Sequence, residues 1–114
     1  MDATELILLY DYYGDLLTDR QKECFELRYN QDLSLGEIGQ ELGISRQGVF
    51  DNLSRTEALL KNMEQKTGCV QRDLRCRKAV GTILDSVKTL CDHSDPEVSD
   101  AGRKIFSVVQ QLEE

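Results

Sequence analysis

Apolar residues recur at steps of three and four along nearly the whole chain, the spacing that gathers them on one face of an α-helix. The pattern predicts an all-α protein with no sheet. From about Thr4 to Leu17, Leu6, Leu9, Tyr10, Tyr13, Leu16 and Leu17 form a main stripe, with Ile7, Leu8 and Tyr12 lying off it. A helix that is apolar nearly all round is buried between other helices or lies in a subunit contact. Thr18 and Gln21 then form a capping box, in which each side chain satisfies a backbone N–H left orphaned at a helix start. The helix they open carries Cys24, Phe25, Leu27 and Tyr29, and Asn30 to Asp32 make the turn after it.

The stretch from Leu33 to Leu53 predicts a helix-turn-helix. Ser34 and Glu37 are a second capping box, and the short helix behind them sets Leu35, Ile38 and Leu42 on one face. Gly39 offers no side chain where a second helix must come close, and Gly43 ends the helix in the left-handed conformation that glycine adopts without penalty. Ile44 fills the corner and Ser45 caps the next helix. Along that helix Val49, Leu53, Thr56, Leu60 and Met63 make one inward stripe, while Gln47, Asp51, Ser54 and Ala58 point outward. It runs out near Lys66, with Thr67-Gly68 as the stop.

Beyond Lys66 the composition changes. Between 72 and 78, Arg72, Arg75, Arg77 and Lys78 stand against Asp73 alone, the most basic stretch of the chain. It reads either as a solvated helix face or as a contact for RNA or lipid. Leu74, Val80, Ile83, Leu84, Val87, Leu90 and Cys91 continue in helical phase, interrupted only by Gly81. Asp92 to Asp95 form a polar turn, and Pro96 sits at the first position of a new helix with Asp95 as its cap. Val98, Ala101, Ile105, Val108 and Leu112 then predict a closing helix, so the end of the chain is a helical hairpin or an extended arm. The division is a helix-turn-helix domain over 1–66 and a helical extension over 67–114.

Charge limits what these helices bind. The 114 residues carry a net charge of −7, with pI ≈ 4.7, which argues against unselective coating of DNA or RNA. From Ser45 to Lys66, Arg46, Arg55, Lys61 and Lys66 face Asp51, Glu57 and Glu64, so phosphate neutralisation is weak there. The outward row is nonetheless where a recognition helix meets base edges in a major groove. The candidate DNA-contacting residues are Ser45, Arg46, Gln47, Phe50, Asp51, Ser54 and Arg55, with the two arginines directed at phosphates. Cys24, Cys69, Cys76 and Cys91 lack metal-ligand spacing and His93 is alone, so no metal or cofactor is expected. No nucleophile and base, carboxylate pair or phosphate loop is recognisable, and a non-enzymatic role is expected. Without a signal peptide or an apolar run of membrane-spanning length, the expectation is a cytoplasmic protein with reduced thiols and no membrane insertion.

Two resemblances extend this reading. Leu16 to Val49, with Leu-Leu-Thr-Asp-Arg-Gln, Glu-Leu-Arg-Tyr, Leu-Ser-Leu-Gly-Glu-Ile-Gly and Leu-Gly-Ile-Ser-Arg-Gln-Gly-Val, resembles the helix-turn-helix of sigma factor region 4, which contacts promoter DNA. More narrowly, Leu9-Tyr10-Asp11-Tyr12-Tyr13-Gly14-Asp15-Leu16-Leu17-Thr18 and the run from Ser45 to Glu57 are similar to the bacterial YlxM family. The resemblance runs from about Thr4 to Lys66. It implies a sigma-4-like fold and an association with the signal recognition particle or the regulation of its genes. Asn52 stands where a sigma-type motif has an aliphatic residue, with the inward role passing to Leu53, so sigma-style base contacts do not carry over. Two functions stay open: a DNA-binding regulator, or an adaptor that holds the signal recognition particle protein or its RNA. A homodimer is expected through the first helix, the stripe from Val98 to Leu112, or both, because surplus apolar faces are commonly buried against a partner; the alternative is that the C-terminal hairpin folds back on Leu6 to Leu17 of its own chain and uses up both surfaces.

Overall fold

A computed structural model describes residues 2–113. Among these, every regular element is helical: α1 (Ala3–Tyr13), α2 (Asp19–Tyr29), α3 (Leu35–Leu42), α4 (Arg46–Thr67), α5 (Cys69–Cys91) and α6 (Pro96–Glu113), with a 3₁₀ turn at Gly14–Leu16. The chain divides into two compact units, the first ending at Val70 and the second beginning at Gln71. No helix among the described residues is long and apolar enough to cross a membrane.

The local signals operate as hydrogen bonds. Thr18 Oγ1 accepts from the Gln21 N–H at 3.2 Å while Gln21 Oε1 accepts from the Thr18 N–H at 2.9 Å. Ser34 and Glu37 do the same at the start of α3, at 3.1 and 3.0 Å. The Ser34 N–H, donating to the Glu37 carboxylate, holds that carboxyl below its ordinary pKa. Gly43 and Gly68 close α3 and α4 with φ of 68° and 64°, a region that side-chain-bearing residues rarely enter. Asp95 Oδ1 accepts from the Glu97 N–H at 2.9 Å at the entry to α6.

The first unit has two buried clusters. Leu6, Leu9, Tyr13, Leu17, Phe25, Leu60 and Val70 form one. Cys24, Ile38 and Val49 form the other, ringed by the half-buried Leu27, Leu33, Leu35, Leu42, Ile44 and Leu53. Neighbours in sequence, Cys24 and Phe25 face different clusters, and α4 supplies Val49 to one and Leu60 to the other. Each fully buried side chain of this kind contributes about 1.5–3 kcal/mol.

The apolar sides of α1 are occupied within the unit. Ile7, Leu8, Tyr10 and Tyr12 all pack, half-buried, against the first cluster. Tyr10 stacks on Phe25 with ring centroids 4.3 Å apart and its hydroxyl donates to Glu26 at 2.8 Å. The Tyr13 hydroxyl donates to Glu64, whose same oxygen accepts from the Val70 N–H at 3.0 Å, tying the start of α5 to α1 and α4. One member of the expected stripe departs: Leu16 is 71% exposed. The α-helix stops at Tyr13, and the tighter 3₁₀ turn shifts the phase so that Leu17 takes the inward place.

In the second unit the expected stripe on α6 is not the buried one. Ser99, Gly102 and Val109 are buried, whereas Ala101, Ile105, Val108 and Leu112 are exposed. Gly102 is the cause. A Cβ there would sit 2.9 Å from the Leu90 Cβ and from the Cys91 backbone N, so α6 approaches α5 backbone-first along the glycine. Leu74 and Ile83, in helical phase on α5, are likewise 47% and 44% exposed.

Burial, together with the hydrogen bond to Glu26 and its charge, pushes the Tyr10 pKa up to about 12. The protonated phenol is therefore favoured by folding: its contribution is complete below the ordinary value of 10.0 and is lost as pH rises through about 12. Ultraviolet titration of tyrosinate should show a late component in that range, and Tyr10→Phe should remove it along with part of the alkaline loss of stability.

Candidate nucleic-acid interface

The outward side of α4 is built from its cap upward. Ser45 Oγ accepts from the Gly48 N–H at 2.9 Å, which starts the helix at Arg46. The preceding turn is held tight by Gly39, where a Cβ would lie 2.7 Å from the Ile44 carbonyl oxygen. This contact is the close approach that the sequence required, made by the turn backbone of 44–46 rather than by a helix side chain. Val49, Thr56 and Leu60 are fully buried, which fixes the rotation of α4 about its axis. Gln47, Phe50, Asp51 and Ser54 consequently share the exposed side.

The structure brings four of the seven candidate residues into one patch and places the others around it. Gln47 Nε2 donates to Asp51 Oδ1 at 3.0 Å, so these two side chains hold one another one turn apart. Phe50, 52% exposed, lines a shallow depression with Leu35, Arg46 and Gln47. Ser54 continues the row. Arg46 and Arg55 flank it on opposite sides, both exposed, and neither forms an ion pair among the described residues. Ser45 lies at the edge with its oxygen engaged in the cap. Lys61, further along, is paired with Glu57 at 2.9 Å.

Asn52 requires a correction. Leu53 does take an inward place, packed against the second cluster, but Asn52 is half-buried beside it, and Asn52 Oδ1 is wholly enclosed without a hydrogen-bond partner among the described residues, as is Thr56 Oγ1. With Val49 and Thr56 completely covered, the buried side of α4 is centred between Asn52 and Leu53. The depression formed by Leu35 with Phe50 also went unread in the sequence, where Leu35 is one of three inward residues of α3. Its half-exposed position next to an aromatic on α4 emerges only from the packing of the two helices.

Comparison with known proteins places this arrangement. Residues 1–96 match the model of the family UPF0122, described as "Putative helix-turn-helix protein, YlxM / p13 like". Curated relatives carry the same family name. A UPF0122 protein of Desulforamulus reducens is 52% identical over 102 residues, covering 90% of this chain and 87% of the relative. One from Acetivibrio thermocellus is 46% identical over 107 residues, covering 94% and 89%. One from Thermoanaerobacter sp. (strain X514) is 41% identical over 112 residues, covering 97% and 96%. The similarity thus continues past Lys66, where the motif resemblance stops, and takes in most of α5 and α6.

Glycine substitutions in α3 separate the two reasons for having glycine there. Gly39→Val should destabilise the protein by about 2 kcal/mol, the scale of forced overpacking against backbone. Gly36→Ala, with only Ser34 Oγ 3.9 Å from the new Cβ, should stabilise it by roughly 0.5–1 kcal/mol. Urea denaturation of the two variants measures both signs.

Proposed function

The chain belongs to the UPF0122 family, and on that premise we propose that it is a regulatory helix-turn-helix protein that binds DNA through the exposed side of α4. The observation that carries this reading is the patch itself. A correctly capped helix offers Gln47, Phe50, Asp51 and Ser54 to base edges, with the exposed guanidinium groups of Arg46 and Arg55, free of ion pairs among the described residues, on either side for phosphates. The proposal includes a homodimer, since two copies double the DNA-facing helices and offset the few cations on each. It also places the protein in the cytoplasm, without catalytic activity, in the regulation of the protein-targeting pathway that the YlxM resemblance implies.

A second reading is favoured by charge. The net charge of −7 weakens any long-range pull on a polyanion. A helix-turn-helix also serves as a protein-binding scaffold. On this reading the same fold is an adaptor for the signal recognition particle protein or its RNA.

Selection from a random duplex library at low salt, followed by fluorescence anisotropy, tests the first reading. A defined site should emerge. Arg55→Ala should then weaken all duplexes about equally and lower the salt slope by roughly one, whereas Gln47→Ala should change the preference between sequences. Failure to select any duplex, with retention of signal recognition particle protein or RNA on the immobilised chain, overturns the DNA reading in favour of the adaptor.

A further inference from the structure

The hairpin of the second unit leaves apolar side chains uncovered, and apart from Leu74 and Phe106 the large ones gather on one side. On α6, Val98, Ala101 and Val108 each precede a buried residue, Ser99, Gly102 and Val109, and one residue turns a helix by about 100°. Ile105 and Leu112 continue that displaced stripe. On α5, Ile83 precedes the half-buried Leu84 and Ala79 precedes the half-buried Val80 in the same way. Because α5 and α6 run antiparallel, one step back along each turns to the same side of the hairpin. Ile83, Ile105, Val108 and Leu112 therefore form a common apolar face, 44%, 40%, 54% and 73% exposed. Two helices side by side have no means of enclosing such a face, whereas four do.

We propose that this face is the contact surface of a homodimer in which two hairpins stack antiparallel as a four-helix bundle. Charge selects a second copy and sets its direction. The open end of the hairpin carries Arg72, Arg75, Arg77 and Lys78 against Asp73 and Glu113, with Arg77 paired to Asp73, while its turn holds Asp92, Asp95, Glu97 and Asp100, of which Asp100 is paired with Arg103 and the other three precede any lysine or arginine of α6. Antiparallel stacking lays the basic end of α5 over the acidic turn of the other copy, and does so twice by symmetry. Parallel stacking would set acidic turn on acidic turn, which is repulsive. The surface is distinct from α1, whose apolar sides are already packed in the first cluster. The inference rests on the homodimer of the proposed function, not on its DNA contact.

Sedimentation equilibrium of the full-length protein without DNA, across the micromolar range, tests it. Twice the chain mass is expected. Ile105→Asp and Val108→Asp should each raise the dissociation constant by about tenfold or more with helicity unchanged by circular dichroism. If Ile105→Asp loses helicity, the more exposed Val108→Ser gives the reading. Arg75→Glu and Asp92→Arg should each weaken the dimer, and the double variant should recover it. A single-chain mass at all concentrations overturns both this inference and the homodimer of the proposed function. A dimer indifferent to the substitutions at Ile105 and Val108 overturns the assigned face alone, and one weakened by them but unmoved by either charge reversal overturns the antiparallel arrangement.

Discussion

The inward stripe of α4 is the constraint on which the first unit depends. Val49, Thr56 and Leu60 are completely buried along one side of a single 22-residue helix, so its two ends are locked into different clusters with one rotation between them. Val49 completes the small core under α3, and Leu60 completes the larger one under α1. A helix rotated to serve one cluster better would empty the other. The same rotation determines which residues reach solvent, so the candidate interface is the complement of the core rather than a separately built feature.

That interface combines a rigid frame with modest electrostatics. The Ser45 cap and the absence of a side chain at Gly39 hold the turn, and the Gln47–Asp51 bond restrains the first outward turn of α4. Restrained polar groups favour discrimination between partners over raw affinity, because few counterions are released when two arginines meet phosphates. Asp51 on the same surface adds a penalty for any misplaced phosphate. Such a surface suits a ligand that fits it closely, whether a particular duplex or a protein partner.

The second unit is organised by Gly102. The close approach of α6 to α5 along this residue turns the line of contact about one residue away from the apolar stripe. Packing backbone against backbone gains dispersion contacts along the glycine, and it leaves the larger side chains Ile105, Val108 and Leu112 facing outward beside Ile83. The family relationship extends over most of this unit as well.

Much of the fold was legible in the chain because the signals are local. Capping boxes at Thr18–Gln21 and Ser34–Glu37, left-handed glycines at 43 and 68, and Pro96 after Asp95 each act within four residues, so sequence alone determined where α2, α3, α4 and α6 begin or end. Periodicity likewise placed Gln47, Asp51 and Ser54 outward, since α4 buries the side its apolar residues dictate. What tertiary structure decided lay where two elements compete for one surface. A 3₁₀ turn put Leu17 rather than Leu16 inside, and the enclosure of Asn52 beside Leu53 followed from how both clusters grip α4. A glycine overrode the apolar stripe of α6, because periodicity records which side of a helix is apolar, while the distance between two backbones decides which side is covered.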